Sequence, residues 1–183
     1  MYRAIKHFIL TIICLAAATA AAAQGRVPSA ESAAIGGDIG IVAPRDEALA
    51  TGLSLEGFYE YYFTPRASLR LGLGWANLPF EREDDDSLRT LRVPIDLVYN
   101  WEHGDVHPFV GAGVGIYFLQ QKDNGESIGD SETKLGVTFS GGAEFFTGPA
   151  LSIKGEARYH VVNDVFGVNP GGLAVTIGVK TYF

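Results

Sequence analysis

Leu151-Ser152-Ile153-Lys154-Gly155-Glu156-Ala157-Arg158-Tyr159-His160-Val161 alternates in character residue by residue. One parity carries Leu151, Ile153, Gly155, Ala157, Tyr159 and Val161. The other carries Ser152, Lys154, Glu156, Arg158 and His160. Side chains of an extended strand point alternately to its two faces, so the segment makes a strand with one apolar and one charged face.

The same period recurs through the chain. The last strand separates Val175, Ile177, Val179, Thr181 and Phe183 from Thr176, Gly178, Lys180 and Tyr182. Leu91, Val93, Ile95, Leu97, Tyr99 and Trp101 part from Arg92, Pro94, Asp96, Val98 and Asn100. Likewise Leu69, Leu71, Leu73 and Trp75 part from Ser68, Arg70, Gly72, Gly74 and Ala76. No convincing amphipathic helix follows residue 33. The pattern predicts eight strands, over 34–43, 52–63, 67–77, 89–101, 107–119, 134–146, 151–162 and 173–183.

Segments of that length suit tilted transmembrane strands, which need about 9–11 residues. A soluble barrel would turn the apolar face inward; a membrane barrel turns it toward lipid. Four features favour the membrane. Aromatics (Tyr59, Tyr61, Phe63, Trp75, Tyr99, Trp101, Phe183) gather toward the ends of the apolar faces, as interfacial girdles do. The polar face is densely charged but nearly balanced, which suits a narrow enclosed lumen. The chain closes on a strand ending in Phe183. Connections at 64–66, 102–106 and 147–149 are short, whereas those near 44–51, 78–88, 120–133 and 163–172 are longer. The expectation is an all-β fold, an eight-stranded antiparallel up-and-down transmembrane β-barrel.

Composition narrows the function. With 183 residues and a net charge of -7, the chain is one acidic domain, and nucleic-acid binding has no electrostatic support. The single cysteine, Cys14, excludes an internal disulfide or a thiolate metal site. Arg3 and Lys6, an apolar run from Phe8 to Ala18, and Ala21-Ala22-Ala23 before Gln24 form a secretory signal peptide over 1–23. Its removal leaves an exported, still more acidic chain: a short periplasmic segment over 24–33 and the barrel over 34–183.

Two stretches carry a family resemblance. Phe58-Tyr59-Glu60-Tyr61-Tyr62-Phe63-Thr64-Pro65-Arg66-Ala67-Ser68-Leu69-Arg70-Leu71-Gly72 and His107-Pro108-Phe109-Val110-Gly111-Ala112-Gly113-Val114-Gly115-Ile116-Tyr117-Phe118 are the two. They resemble the second hairpin and the glycine-rich fifth strand of the small bacterial outer-membrane β-barrel family, of OmpA/OmpW type. The resemblance implies residence in the outer membrane among its lipid and lipopolysaccharide. It also implies that Val179-Lys180-Thr181-Tyr182-Phe183 is presented to the barrel-assembly machinery. The opening-strand pattern of the OmpW branch is absent, and the chain stops where OmpA-type chains often continue into a peptidoglycan-binding domain.

By parity the lumen receives Asp38, Glu56, Glu60, Asp96, Glu144 and Glu156 together with Arg70, Arg92, Lys154, Arg158 and Lys180, plus His160. An eight-stranded interior is just wide enough for side chains to fill, and an unpaired buried charge costs several kcal/mol. These residues therefore form a packed ion-pair network or, alternatively, line a narrow polar pathway for small solutes or ions. A third reading is enzymatic: lipid A deacylases pair a His with a nearby Ser at the lipid face. Here Val162 stands two residues after His160, and parity turns His160 inward. His103 and His107 build no metal cluster, so no cofactor or metal is expected. The acidic run Glu81-Arg82-Glu83-Asp84-Asp85-Asp86 is a solvated loop with the chemistry to bind divalent cations, and Asp123–Asp130 misses calcium-loop spacing. Outward loops offer surfaces to partners that the sequence does not name.

Overall fold

The computed structural model describes residues 28–81, 86–101, 104–123 and 126–183. Eight strands follow one another: β1 (Ala33–Pro44), β2 (Gly52–Tyr62), β3 (Ala67–Pro79), β4 (Asp86–Asn100), β5 (Val106–Asp123), β6 (Glu126–Phe146), β7 (Leu151–Val162) and β8 (Gly172–Tyr182). Each pairs antiparallel with its chain neighbours, and β8 returns to β1, so the sheet closes into a barrel with no free edge.

The alternation in sequence becomes an inside and an outside. Leu97 is 60% exposed, whereas Asp96 beside it is 1% exposed. Leu71, Ile95, Ile153 and Ile177 likewise face outward, and Arg70, Lys154 and Lys180 are fully buried. A water-soluble barrel would have the reverse arrangement; this one presents hydrocarbon to its surroundings and hides its charges.

The two ends differ. The connections after β2, β4 and β6 lie at one end, where Thr64 Oγ1 accepts hydrogen bonds from the backbone N–H groups of Arg66 (3.2 Å) and Ala67 (2.9 Å). Tyr59, Tyr61, Tyr99, Trp101 and Phe183 stand outward around that end, with Tyr99 and Trp101 edge to face at 5.0 Å. Trp75 and Phe118 mark the opposite end of the apolar belt, in one cross-strand row with Leu91.

At the far end the structure corrects the expected loop lengths. The connection expected over 120–133 is largely strand: β5 runs on to Asp123 and β6 starts at Glu126, with Lys122 opposite Ser127 and Asp123 opposite Glu126. β4 similarly starts at Asp86 rather than residue 89, which shortens the connection expected over 78–88. Beyond Leu119 the β5 arm of the hairpin, Gln120 to Asp123, is polar at every position, so it has no hydrophobic alternation to read; the backbone ladder carries the pairing on regardless. A register shift between Leu119 and Gln121 marks the transition.

The signal segment, residues 24–27, Arg82–Asp85 of the acidic run, Asn124, Gly125, Glu102 and His103 lie outside the described residues. Within the expected 24–33 segment, Glu31 N donates to Tyr62 O at 2.7 Å, and β1 starts at Ala33.

Candidate functional site: the filled lumen

The barrel interior is layered along its axis. Beside the connections after β2, β4 and β6 lies an aromatic floor. Tyr62 and Tyr182 face each other at 5.8 Å between ring centroids, and Phe146 lies 5.4 Å from Tyr182 and 4.6 Å from His107. β2, β8, β6 and β5 each contribute a ring here because the inward parity that carries charge higher up ends in an aromatic. The Tyr182 hydroxyl donates to Glu144.

Above the floor the eleven acidic and basic side chains join into one connected network. Lys180 pairs with Glu144 and with Glu60 (2.9 Å) and donates to the Tyr62 hydroxyl at 2.8 Å. Glu60 accepts from Ser68 Oγ (2.5 Å) and from Arg70 Nε (3.0 Å). Arg70 Nη1 reaches Glu156 Oε2 at 2.8 Å. Glu156 is the hub: the same oxygen takes Lys154 (2.7 Å), and Oε1 takes Arg158 Nε (2.7 Å). Lys154 also pairs with Asp38 at 2.8 Å. Arg158 continues to Glu56 (2.9 Å) and to Asp96 (3.4 Å), and Arg92 meets Glu56 at 3.1 Å and Ser54 Oγ at 2.8 Å. Thr138 Oγ1 donates to Asp96 at 2.5 Å.

Pairing of this density is what makes the charges tolerable. Moving one ion from water into a closed interior costs several kcal/mol, more than a single pair returns. Most of the bases here touch two carboxylates, and Glu156 touches three bases. Two inward aromatics add to this: Phe58 lies under the Lys154 ammonium (4.4 Å) and the Arg70 guanidinium (4.9 Å), and Phe109 is 5.5 Å from Arg70. Room for the long side chains comes from glycines on the facing strands. At Gly74 a Cβ would stand 2.5 Å from Arg92 Nε, and at Gly178 it would run into the Asp38 carboxylate.

His160 sits at the upper edge of this layer. Its Nδ1 shares a hydrogen bond with the Tyr117 hydroxyl (2.9 Å), and its Nε2 has no partner among the described residues. A cavity of about 10 Å³ lies beside it, lined by Asp38, Glu56, Arg92, Glu156 and Arg158; that is room for roughly one water.

The lumen then turns apolar. Val42, Ala76, Leu78, Leu88, Leu119, Val162 and Ala174 occupy the inward positions at the upper strand ends. Leu49 from the connection 45–51, and Val165 and Val168 from the connection 163–171, drop onto them and complete a cap. Both connections are tied down. Asp46 accepts hydrogen bonds from the N–H groups of Ala48 (3.0 Å) and Asn169 (3.0 Å), and Arg45 N donates to Gly171 O at 2.6 Å. Those two N–H groups hold the Asp46 carboxyl below its ordinary value. Ala50 N reaches Pro79 O at 2.7 Å, and Leu49 bridges Phe80.

All twelve residues that parity sends inward are buried, and the structure brings eleven of them into one network with His160 beside it. The inward aromatics Phe58, Tyr62, Phe109, Tyr117 and Tyr182 were not among them, although each shares the parity of a lumen charge on its strand or its neighbour. Nor does the sequence announce the cap, because three of its members lie in loops. Among the described residues no group of three or more His, Cys, Asp or Glu side chains is arranged to hold a metal ion.

A family model described as "Outer membrane protein beta-barrel domain" matches residues 10–183. No curated protein matches the chain in sequence. Among solved structures, the chain is similar to Neisserial surface protein A, with TM-score 0.66 and 15% identity over 83% of this chain and 96% of that one. It is equally similar to the outer membrane protein OprG from Pseudomonas aeruginosa, with TM-score 0.66 and 15% identity over 87% and 98%. The outer membrane enzyme PagL follows at TM-score 0.52 and 16% identity over 81% and 98%. At these identities the likeness is one of fold.

Proposed function

The chain belongs to the outer membrane β-barrel family and so resides in the bacterial outer membrane, and from that premise we propose a non-enzymatic barrel with a structural, surface-displaying role. One observation carries the reading. The lumen is occupied from an aromatic floor, through a connected ion-pair network, to an apolar cap closed by two loops. Such an interior serves as the rigid support of the outer loops rather than as a passage.

The twelve inward residues Asp38, Glu56, Glu60, Arg70, Arg92, Asp96, Glu144, Lys154, Glu156, Arg158, His160 and Lys180 act as the structural fill. Opening a pathway would require Glu56, Arg92, Glu156 and Arg158 to separate, each giving up close partners. Chemistry at the lipid face has no support from His160, which is buried in the lumen against Tyr117, with Val162 beyond it also buried. Export follows cleavage of residues 1–23, and the C-terminal strand β8, with Phe183 directly after it, engages the assembly machinery. The partners of the barrel are the lipid and lipopolysaccharide around it.

Single-channel recording of the refolded chain 24–183 in a planar bilayer tests the reading. We expect silence from a chain that inserts and resists protease, and unaltered lipid A when it is overexpressed. Steady openings that change on Arg92→Gln or Glu156→Gln would establish the channel instead; altered lipid A abolished by His160→Ala would establish an enzyme.

A further inference from the structure

Charge is nearly absent from the outer face of the wall, and its exceptions coincide. The outward positions of β1, β2, β3, β7 and β8 are uncharged, as are those of β6 from Leu135 to Phe145. β4 and β5 each turn one charged side chain outward, Arg89 and Lys122. Both are cationic, in a chain of net charge -7.

Their depth is well defined. Trp75, Leu91 and Phe118 make the last apolar cross-strand row before the loop end. One row further out, Arg89 stands between Asn77 and Gln120. Lys122 is two residues beyond Gln120 on the same face, opposite Ser87, and its ammonium donates to Ser127 Oγ at 2.5 Å. Arg89 and Lys122 are therefore diagonal neighbours, about 7–8 Å apart at the backbone and within reach of one phosphate group through their long side chains. Arg89 is exposed and has no hydrogen-bond or ion-pair partner among the described residues. The carboxylates of the same strand ends, Asp86 and Asp123, lie at positions of inward parity.

A cation on a lipid-facing wall is costly at mid-membrane and cheap at the interface, where headgroup phosphates meet it. Arg binds phosphate with two parallel N–H donors and Lys as a point charge. We propose that Arg89 and Lys122, flanked by Asn77, Ser87 and Gln120, form a phosphate site for a phosphorylated glycolipid of the outer leaflet. Its acyl chains lie along the Trp75–Leu91–Phe118 row. The site deepens the lipid partnership proposed above and rests on the loop end of the barrel facing outward.

The test uses the refolded chain 24–183 in phosphatidylcholine nanodiscs. These carry bisphosphorylated lipid A, its dephosphorylated form, or phosphatidylglycerol, and retained lipid is measured by native mass spectrometry. The wild-type protein is expected to retain the bisphosphorylated glycolipid roughly tenfold better than R89Q/K122Q, with the dephosphorylated form retained no better by either. R89K/K122R, which keeps the charges, should recover most of the difference and guards against misfolding. Equal retention by R89Q/K122Q overturns the site, and so does equal retention of the dephosphorylated glycolipid. Equal retention of phosphatidylglycerol shows a general anion patch and overturns the glycolipid assignment. Conductance of the same refolded protein in a planar bilayer separates the two readings: an open pore sinks the filled lumen but leaves the lipid result standing.

Discussion

The middle of the lumen and its loop end fill the same tube by opposite means. In the middle, Glu156 joins Lys154, Arg70 and Arg158, and nearly every long side chain is held by two partners at defined distances. At the loop end, Leu78, Leu88 and Leu119 meet Leu49, Val165 and Val168 through apolar side chains, which form no directional bond. Charge pairing punishes the loss of any one member, because its partners are left buried and unmatched. Apolar packing loses only what the missing atoms contributed, plus the void they leave. The middle should therefore behave as a single unit that sets register, and the cap as an adjustable seal.

Glu156→Gln should give the largest effect. It removes the charge shared by three bases and should lower unfolding stability by about 3–5 kcal/mol, read by urea titration in detergent micelles. Leu119→Ala at the cap should cost less, about 2–4 kcal/mol in the same titration. It should leave bilayer recordings silent, since the charged layer still fills the tube. If Leu119→Ala costs more than Glu156→Gln, the contrast between the regions collapses.

Gly178→Ala probes the middle from its backbone. The added methyl meets both the Asp38 carboxylate, which pairs with Lys154, and the Gly37 carbonyl oxygen, and displacing them should cost about 1–3 kcal/mol. The same change at Gly155, where a Cβ meets nothing within 4 Å on the outer face, should be close to neutral.

The smallest effect is expected at Asp46, which pins one cap loop to the other. Its carboxyl titrates below the ordinary 3.8 when folded, so the contribution is complete above that pH and is lost as pH falls through the lower, folded value. Amide exchange at Asn169 should therefore quicken below about pH 4 while β7 and β8 stay protected. Asp46→Ala should show that fast exchange already at neutral pH.

Much of this was legible in the chain because a strand has a period of two. In 151–161 the parity of Lys154, Glu156, Arg158 and His160 is enough to place them together on one face, and closure of the sheet makes that face the inside. Phe58 and Tyr62 share that parity with Glu56 and Glu60, yet an aromatic at an inward position looks the same as one meant for the membrane girdle. The strand beyond Leu119 was hidden for the opposite reason: polar on both sides, Gln120 to Asp123 carries no periodic signal.

The sequence by itself determined the number of strands, the two faces, the membrane as surroundings and the twelve polar side chains sent inward. Each of those follows from local alternation and composition, which a single chain displays along its length. The tertiary structure alone decided which acid meets which base, that Glu156 is the hub, and that loops 45–51 and 163–171 fold in to seal the end. Pairs such as Arg70 with Glu156 and Arg158 with Glu56 span 86 and 102 residues of chain and meet across the lumen. Barrel closure and register bring them together, and no local pattern encodes a contact at that range.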